Sequence, residues 1–214
     1  MIEIEKMERT TLEDFIWALG SSDPVPGGGG VSAYVAALGA ALGNMVCFLT
    51  TGKKKYAQYQ TEIDEIIPKL NIYTERFLNG MKEDARCFLP LSKAYALPEN
   101  TPEEKVHKEK VMEELLTAAA ETPLSLMCNI SETLVIIERL AEIGSRLAVS
   151  DVGVAASMCR AAMESASLNV FINTKYMKDR EKAQSLNDEA MELVSAAATL
   201  SEDIMAQVRE ALVD

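Results

Sequence analysis

A chain of 214 residues that is 48% hydrophobic and 25% charged has enough apolar content for the core of one domain of ordinary to large size. Its 33 acidic and 21 basic residues give a formal net charge of −12. That disfavours non-specific binding to nucleic acid or to an anionic membrane, but not a small anion held by a local field. Cys47, Cys87, Cys128 and Cys159 form no CxxC pair and read as reduced core thiols of a cytoplasmic protein; the acidic, mixed N-terminus does not read as a signal peptide.

Thr11 predicts the start of a short helix, with Asp14 three residues on as its capping partner. Pro24 and Pro26 then stiffen the approach to four consecutive glycines, Gly27, Gly28, Gly29 and Gly30. Glycine is costly to order, so an ordered run of four implies a need for bare backbone. Bare backbone admits a ligand or another chain at close range, and a helix starting there points free N–H groups at it. A flexible linker is the alternative. Residues 31–49 carry no charge and are long enough to span a membrane. They are rich in Ala and Gly and include Ser32, Tyr34 and Asn44, so a buried central helix is expected. Gly39 and Gly43, four apart, would let it pack closely on a neighbour.

Lys53, Lys54 and Lys55 follow at once. They read either as cations at a helix C-terminus or as a dock for a multiply charged anion. Residues 55–89 predict a long amphipathic helix, bent or interrupted at Pro68 and ended or kinked at Pro90. Thr101-Pro102-Glu103-Glu104 is a helix start running to Thr122, with a break or a kink at Pro123 before a segment reaching Leu147. Ser150 and Asp151 are expected to cap a helix reaching Asn173, and a last helix covers 178–212. No stretch of period two is present. The expected fold is all-α: a multi-helical bundle of long helices, one domain over residues 1–214. Helices 31–49 and 154–168 are apolar or small around most of their circumference, which predicts enclosure on all sides, as in an intimately associated homodimer.

Several chemistries are excluded by scarcity. His107 is the one histidine. A ferritin-like di-metal site needs two Glu-x-x-His motifs, so no metal is expected, and a Ser–His–Asp triad has no suitable base. The glycine run lacks the preceding strand and spacing of a dinucleotide fingerprint, and the GK[ST] ending of a P-loop. Carboxylates, lysines, hydroxyls, amides and backbone remain. Asp84 shares a helix side with Cys87 and Phe88, which suits either a functional carboxylate or a partner of Arg86 or Lys82. Asn169 and Asn173 share one face of an apolar helix and need hydrogen-bond partners if buried. Asp151 lies 18 positions before Asn169, about 27 Å along a straight helix. The two serve one site only through a bend or a partner chain.

Pro24-Val25-Pro26-Gly27-Gly28-Gly29-Gly30-Val31-Ser32-Ala33 resembles the cyclodeaminase/cyclohydrolase family of folate enzymes. Gly52-Lys53-Lys54-Lys55-Tyr56, Asp84, Gly144-Ser145 with Ser150-Asp151-Val152-Gly153-Val154, and Asn169-Val170-Phe171-Ile172-Asn173 extend the resemblance from Leu12 to the last helix. Ser145 stands where many cyclodeaminases carry Asn, a departure toward the stand-alone cyclohydrolases. The resemblance implies an all-helical homodimer that binds a tetrahydrofolate, polyglutamylated in many cases, in a cleft near the subunit contact. It implies hydrolysis of 5,10-methenyltetrahydrofolate to 10-formyltetrahydrofolate, or the related release of ammonia from 5-formiminotetrahydrofolate. Neither reaction takes a metal or a cofactor beyond the folate. A non-enzymatic scaffold dimer is the rival on periodicity alone. Asp84 and Asp151 are the expected catalytic carboxylates. Pro26, Gly27 to Gly30, Ser32, Asn169 and Asn173 are expected in the folate cleft, and Lys53, Lys54 and Lys55 at the glutamate tail.

Overall fold

Thr101 shows how the sequence sets its helix starts: its hydroxyl accepts the Glu104 N–H and the Glu104 carboxylate accepts the Thr101 N–H, a closed capping box with Pro102 at the first helical position. The computed structural model describes residues 2–213. Its α-helices are α1 (Leu12–Leu19), α2 (Gly28–Thr50), α3 (Gln60–Ala94), α4 (Pro102–Ile143), α5 (Val149–Thr174) and α6 (Arg180–Val213). Short 3₁₀ turns occupy Ile4–Arg9, Lys54–Tyr59 and Arg146–Ala148, and no strand occurs among the described residues. The all-α expectation holds. So does the Thr11 start, whose hydroxyl accepts the Asp14 N–H at 3.1 Å.

The ends of several helices differ from expectation. The segment from Lys54 is a 3₁₀ turn, and α3 begins at Gln60. Ser150 and Asp151 do not cap α5; the helix starts from Ala148 without a side-chain cap, and both residues fall in its first turn.

The prolines at 68, 90 and 123 all lie inside continuous helices, not at breaks. A proline removes the N–H that would bond the carbonyl four residues earlier. Pro68 and Pro90 are on exposed faces, as are Asp64 and Arg86, so water can take the freed carbonyls. Pro123 is buried, and so is Ala119, whose carbonyl it orphans. Asn173 of α5 repairs this defect: its Nδ2 donates to the Ala119 oxygen at 3.0 Å and to the Asn169 oxygen at 2.7 Å. Of the break or kink expected at Pro123, the break is absent, because a neighbouring helix supplies the missing donor.

Helix α2 is the centre of the bundle. Gly29 lies against Asp84 and Gly43 against Leu70, so α2 and α3 are antiparallel. Gly28 lies against Asn169 and Gly39 against Cys159, so α2 and α5 are antiparallel too. A Cβ on Gly39 would stand 2.7 Å from the Cys159 sulfur, which fixes the close α2–α5 approach. The two glycines face different neighbours, α5 for Gly39 and α3 with α4 for Gly43. Arg76 bonded to Asn129, and Arg139 bonded to Glu62, register α3 antiparallel on α4. All four cysteines are free, and burial pushes the Cys47 and Cys159 thiols up to about 12. Among the described residues α2 alone is long and apolar enough to cross a membrane, and 56% of its most apolar window is buried in the bundle.

The Pro123–Asn173 pairing makes a double-mutant prediction. Asn173→Leu should lower the unfolding free energy by about 1–3 kcal/mol, the cost of an unpaired buried carbonyl. In a Pro123→Ala background, where residue 123 regains its N–H, the same change should cost clearly less. Equal costs by urea denaturation in both backgrounds would refute the repair.

Candidate active site

Asp84 projects from α3 onto the first turn of α2. Its Oδ2 accepts the Gly30 N–H at 3.0 Å. A Cβ on Gly29 would stand 2.0 Å from Oδ1, so the carboxylate occupies the space a side chain would need. The bare backbone expected of the glycine run is therefore used, at Gly29, by a side chain of the same protein. Arg86 and Lys82 do not pair with Asp84; Arg86 binds Glu5 and Lys82 binds Glu8 in the N-terminal 3₁₀ turn. Burial pushes the Asp84 carboxyl above the usual carboxylate range, and the Gly30 N–H draws it part of the way back. The helix N-terminus favours the anion in the same direction as that N–H.

Asp84 stands in the wall between two cavities. The larger, about 300 Å³, lies between α3 and α4 and is lined by Gly29, Arg76, Phe77, Gly80, Glu83, Asn129 and neighbours. The smaller, about 130 Å³, is lined by Phe88, Leu91, Tyr95, Ala119, Asn169, Ile172 and Asn173 among others. Asp84 and Thr122 line both. The pair together reaches the size of small-molecule sites, and the larger mixes apolar walls with the polar side chains of Asn79, Thr122, Ser125 and Asn129 besides its charged groups.

The expected site residues divide. Asp84, Gly29, Asn169 and Asn173 meet at these cavities. Gly27 is the N-cap of α2, Gly28 is exposed beside Asn169, and Gly30 contributes its N–H. Pro26 and Ser32 are buried behind them, and the Ser32 hydroxyl is turned onto the Gly28 carbonyl at 2.8 Å, so it does not face either cavity.

Lys53, Lys54, Lys55 and Asp151 lie at the other end of α2 and of α5, a helix length away. Helix α2 has 23 residues, about 35 Å. There Lys53 donates to the Ser145 hydroxyl at 3.0 Å, the Ser145 N–H donates to Thr50, and Tyr56 accepts the Arg146 N–H. Within one chain these residues and Asp84 do not form one site, because α5 runs from Val149 to Thr174 without interruption. Arg76, Glu83, Thr122 and Asn129 were not anticipated. Arg76, Gly80 and Glu83 do show a trace in the sequence, since their i, i+4, i+7 spacing places them on one helix face.

Long helices around a carboxylate seated on a glycine-led helix start define an all-α small-molecule site. Comparison with known proteins gives the lineage. Residues 11–192 match the family model described as formiminotransferase-cyclodeaminase. A methenyltetrahydrofolate cyclohydrolase of Methylorubrum extorquens is 38% identical over 200 residues, covering 93% of this chain and 96% of that protein. The formimidoyltransferase-cyclodeaminase of Mus musculus is 35% identical over 79% of this chain, which spans 31% of that longer protein. The crystal structure of a formiminotetrahydrofolate cyclodeaminase from Thermotoga maritima superposes with a TM-score of 0.86 at 25% identity, over 96% of this chain and 98% of its own. The chain belongs to the formiminotransferase-cyclodeaminase family.

The seat of Asp84 can be tested by stability alone. Gly29→Ala should destabilise the fold by about 1–3 kcal/mol through overpacking. Gly28→Ala, whose Cβ would find ordinary contact at 3.5 Å from Asn169, should cost less. In an Asp84→Ala background the Gly29→Ala cost should largely vanish. Persistence of the full cost there would show that the carboxylate is not what excludes the side chain.

Proposed function

We propose that this protein is a methenyltetrahydrofolate cyclohydrolase, converting 5,10-methenyltetrahydrofolate and water to 10-formyltetrahydrofolate and a proton. The observation that carries the reading is Asp84, a half-buried carboxylate between two adjoining cavities, in a chain 38% identical to such an enzyme over nearly all its length. The substrate carries positive charge on the carbon between N5 and N10. An ionised Asp84 stabilises that cation and takes a proton from the attacking water. The water oxygen bonds to the carbon, the C–N5 bond breaks, N5 receives the proton held by Asp84, and the hydroxyl proton leaves to solvent as the formyl group forms. No cofactor takes part beyond the folate itself. The smaller cavity suits the pterin, with the amides of Asn169 and Asn173 on its wall.

The second reading is formiminotetrahydrofolate cyclodeaminase, favoured by the Thermotoga maritima neighbour. It forms the same methenyl species as its product: N10 attacks the formimino carbon, and the departing nitrogen takes the N10 proton and one more from solvent to leave as ammonia.

A homodimer belongs to this proposal. Leu38, Met45, Phe48 and Leu49 are exposed on one side of α2, Phe48 at 62%. In their midst the buried Asn44 Oδ1 has no hydrogen-bond partner, while its Nδ2 donates to Asn71. A second copy covering this face would bury the apolar stripe and can satisfy that oxygen. Antiparallel pairing of two α2 helices carries the Lys53, Lys54, Lys55 and Asp151 end of one copy toward the glycine-led end of the other. This is the arrangement in which the lysines can reach a polyglutamate tail. The chain should therefore sediment as a dimer, and Phe48→Glu should shift it to monomer; a monomeric parent chain would refute this.

The reaction is tested by comparing kcat/KM for water addition to methenyltetrahydrofolate with that for ammonia release from formiminotetrahydrofolate. A hundredfold preference for the first, about 2.7 kcal/mol, is expected. The reverse preference establishes the second reading. Asp84→Asn should cost about 10²-fold or more. The pH dependence has a definite sign. The base must be ionised, so enzymatic kcat/KM should rise with pH through the raised carboxyl of Asp84 and then level. The kcat limb should lie at lower pH, because the bound cation favours the carboxylate. A profile that is flat through this range, after subtraction of the uncatalysed rate, would remove Asp84 as base.

A further inference from the structure

The larger cavity has a polarity of its own. At one end stands Asp84, with Glu83 beside it on α3. At the other end stands Arg76, whose guanidinium donates to the Asn129 Oδ1 at 3.0 Å and lies 5.6 Å from the centre of the Tyr73 ring. Among the described residues no carboxylate is within ion-pair distance of that guanidinium. By contrast Arg9, Arg86, Arg139 and Arg160 each hold a glutamate. Between the two ends the lining includes Phe77, Gly80, Pro123 and Leu126, an apolar strip with a glycine that leaves room for a flat group, edged by the polar Asn79, Thr122 and Ser125.

We propose that Arg76, held by Asn129 and Tyr73, is the subsite for the carboxylate of the first glutamate of the folate, a role distinct from that of the lysine run. The proposal rests on the folate reading above and deepens it. Three features agree. The charges match in order: the cationic carbon against Asp84, the aromatic ring on the apolar strip, the tail carboxylate at the unpaired guanidinium. A guanidinium takes a carboxylate in paired hydrogen bonds, and its planar fork is already oriented here by Asn129. The lengths match as well. Arg76 and Asp84 are eight residues apart on one helix, about 12 Å. A p-aminobenzoylglutamate spans about 10 Å from N10 to its α-carboxylate at ordinary bond lengths. Reversing the ligand would set its tail carboxylate beside Asp84 and Glu83 and its cation beside Arg76, so the same charges also fix its direction.

The test compares methenyltetrahydrofolate monoglutamate with methenyltetrahydropteroate, which lacks the glutamate, on the wild-type chain, on Arg76→Gln and Arg76→Lys, and on the triple change of Lys53, Lys54 and Lys55 to Gln. Arg76→Gln should raise KM for the monoglutamate about tenfold with little change in kcat. Its KM for the pteroate analogue should move less than twofold, and Arg76→Lys should recover part of the loss. The triple lysine variant should raise the monoglutamate KM clearly less than Arg76→Gln does. An equal effect of Arg76→Gln on both substrates, no effect on either, or loss of monoglutamate affinity on the triple lysine variant alone, each overturns the subsite while leaving the reaction in place. A wild-type chain that turns over neither methenyl nor formimino substrate overturns the folate reading and the subsite with it.

Discussion

The structure turns on one carboxylate laid against one bare helix start. Asp84 is pushed toward neutrality by burial and held toward its anion by the Gly30 N–H and the open end of α2. Those opposed influences leave a carboxyl whose proton affinity lies above that of a free aspartate. They also require Gly29, because any Cβ there would displace the group. The contact fixes how α3 lies on α2, and with it the position of both cavities.

The cavity walls depend on a second compensation. Pro123 lies in the wall shared with the larger cavity, inside a helix that it would ordinarily disrupt. The amide of Asn173 reaches from α5 to take up the carbonyl that the proline strands. That single side chain therefore ties α4 to α5 at the level of Asp84, while lining the smaller cavity itself. Site and scaffold are not separable here: an amide that looks like a ligand-binding group is also a backbone repair.

Helix α2 explains the larger plan. It is apolar on nearly every side, with α3 and α5 packed against it through Gly29, Gly39 and Gly43, yet Phe48 and its neighbours remain uncovered. It separates two polar clusters by its full length. The Asp84 cluster is built around a cavity, whereas Lys53, Ser145, Thr50, Tyr56 and Arg146 bond to one another at the far end. A rigid helix cannot bring these ends together inside one chain; the antiparallel pairing of two copies proposed above would.

The sequence by itself determined the helical class, the starts at Thr11 and Thr101, the central apolar helix, and the need for bare backbone at the glycine run. These are local facts: side-chain capping, hydrophobic period, and the low tolerance of ordered glycine for substitution. The separation of Asp151 from Asn169 was also legible, because helix rise is fixed. Tertiary structure decided the rest. That Pro123 does not end its helix depends on an amide fifty positions away in the chain. That Asp84 ignores Arg86 and Lys82 depends on Glu5 and Glu8 claiming them. That Arg76 faces a cavity depends on the pairing of α3 with α4. Each is a competition among partners distant in sequence, and no local pattern of residues records who wins it.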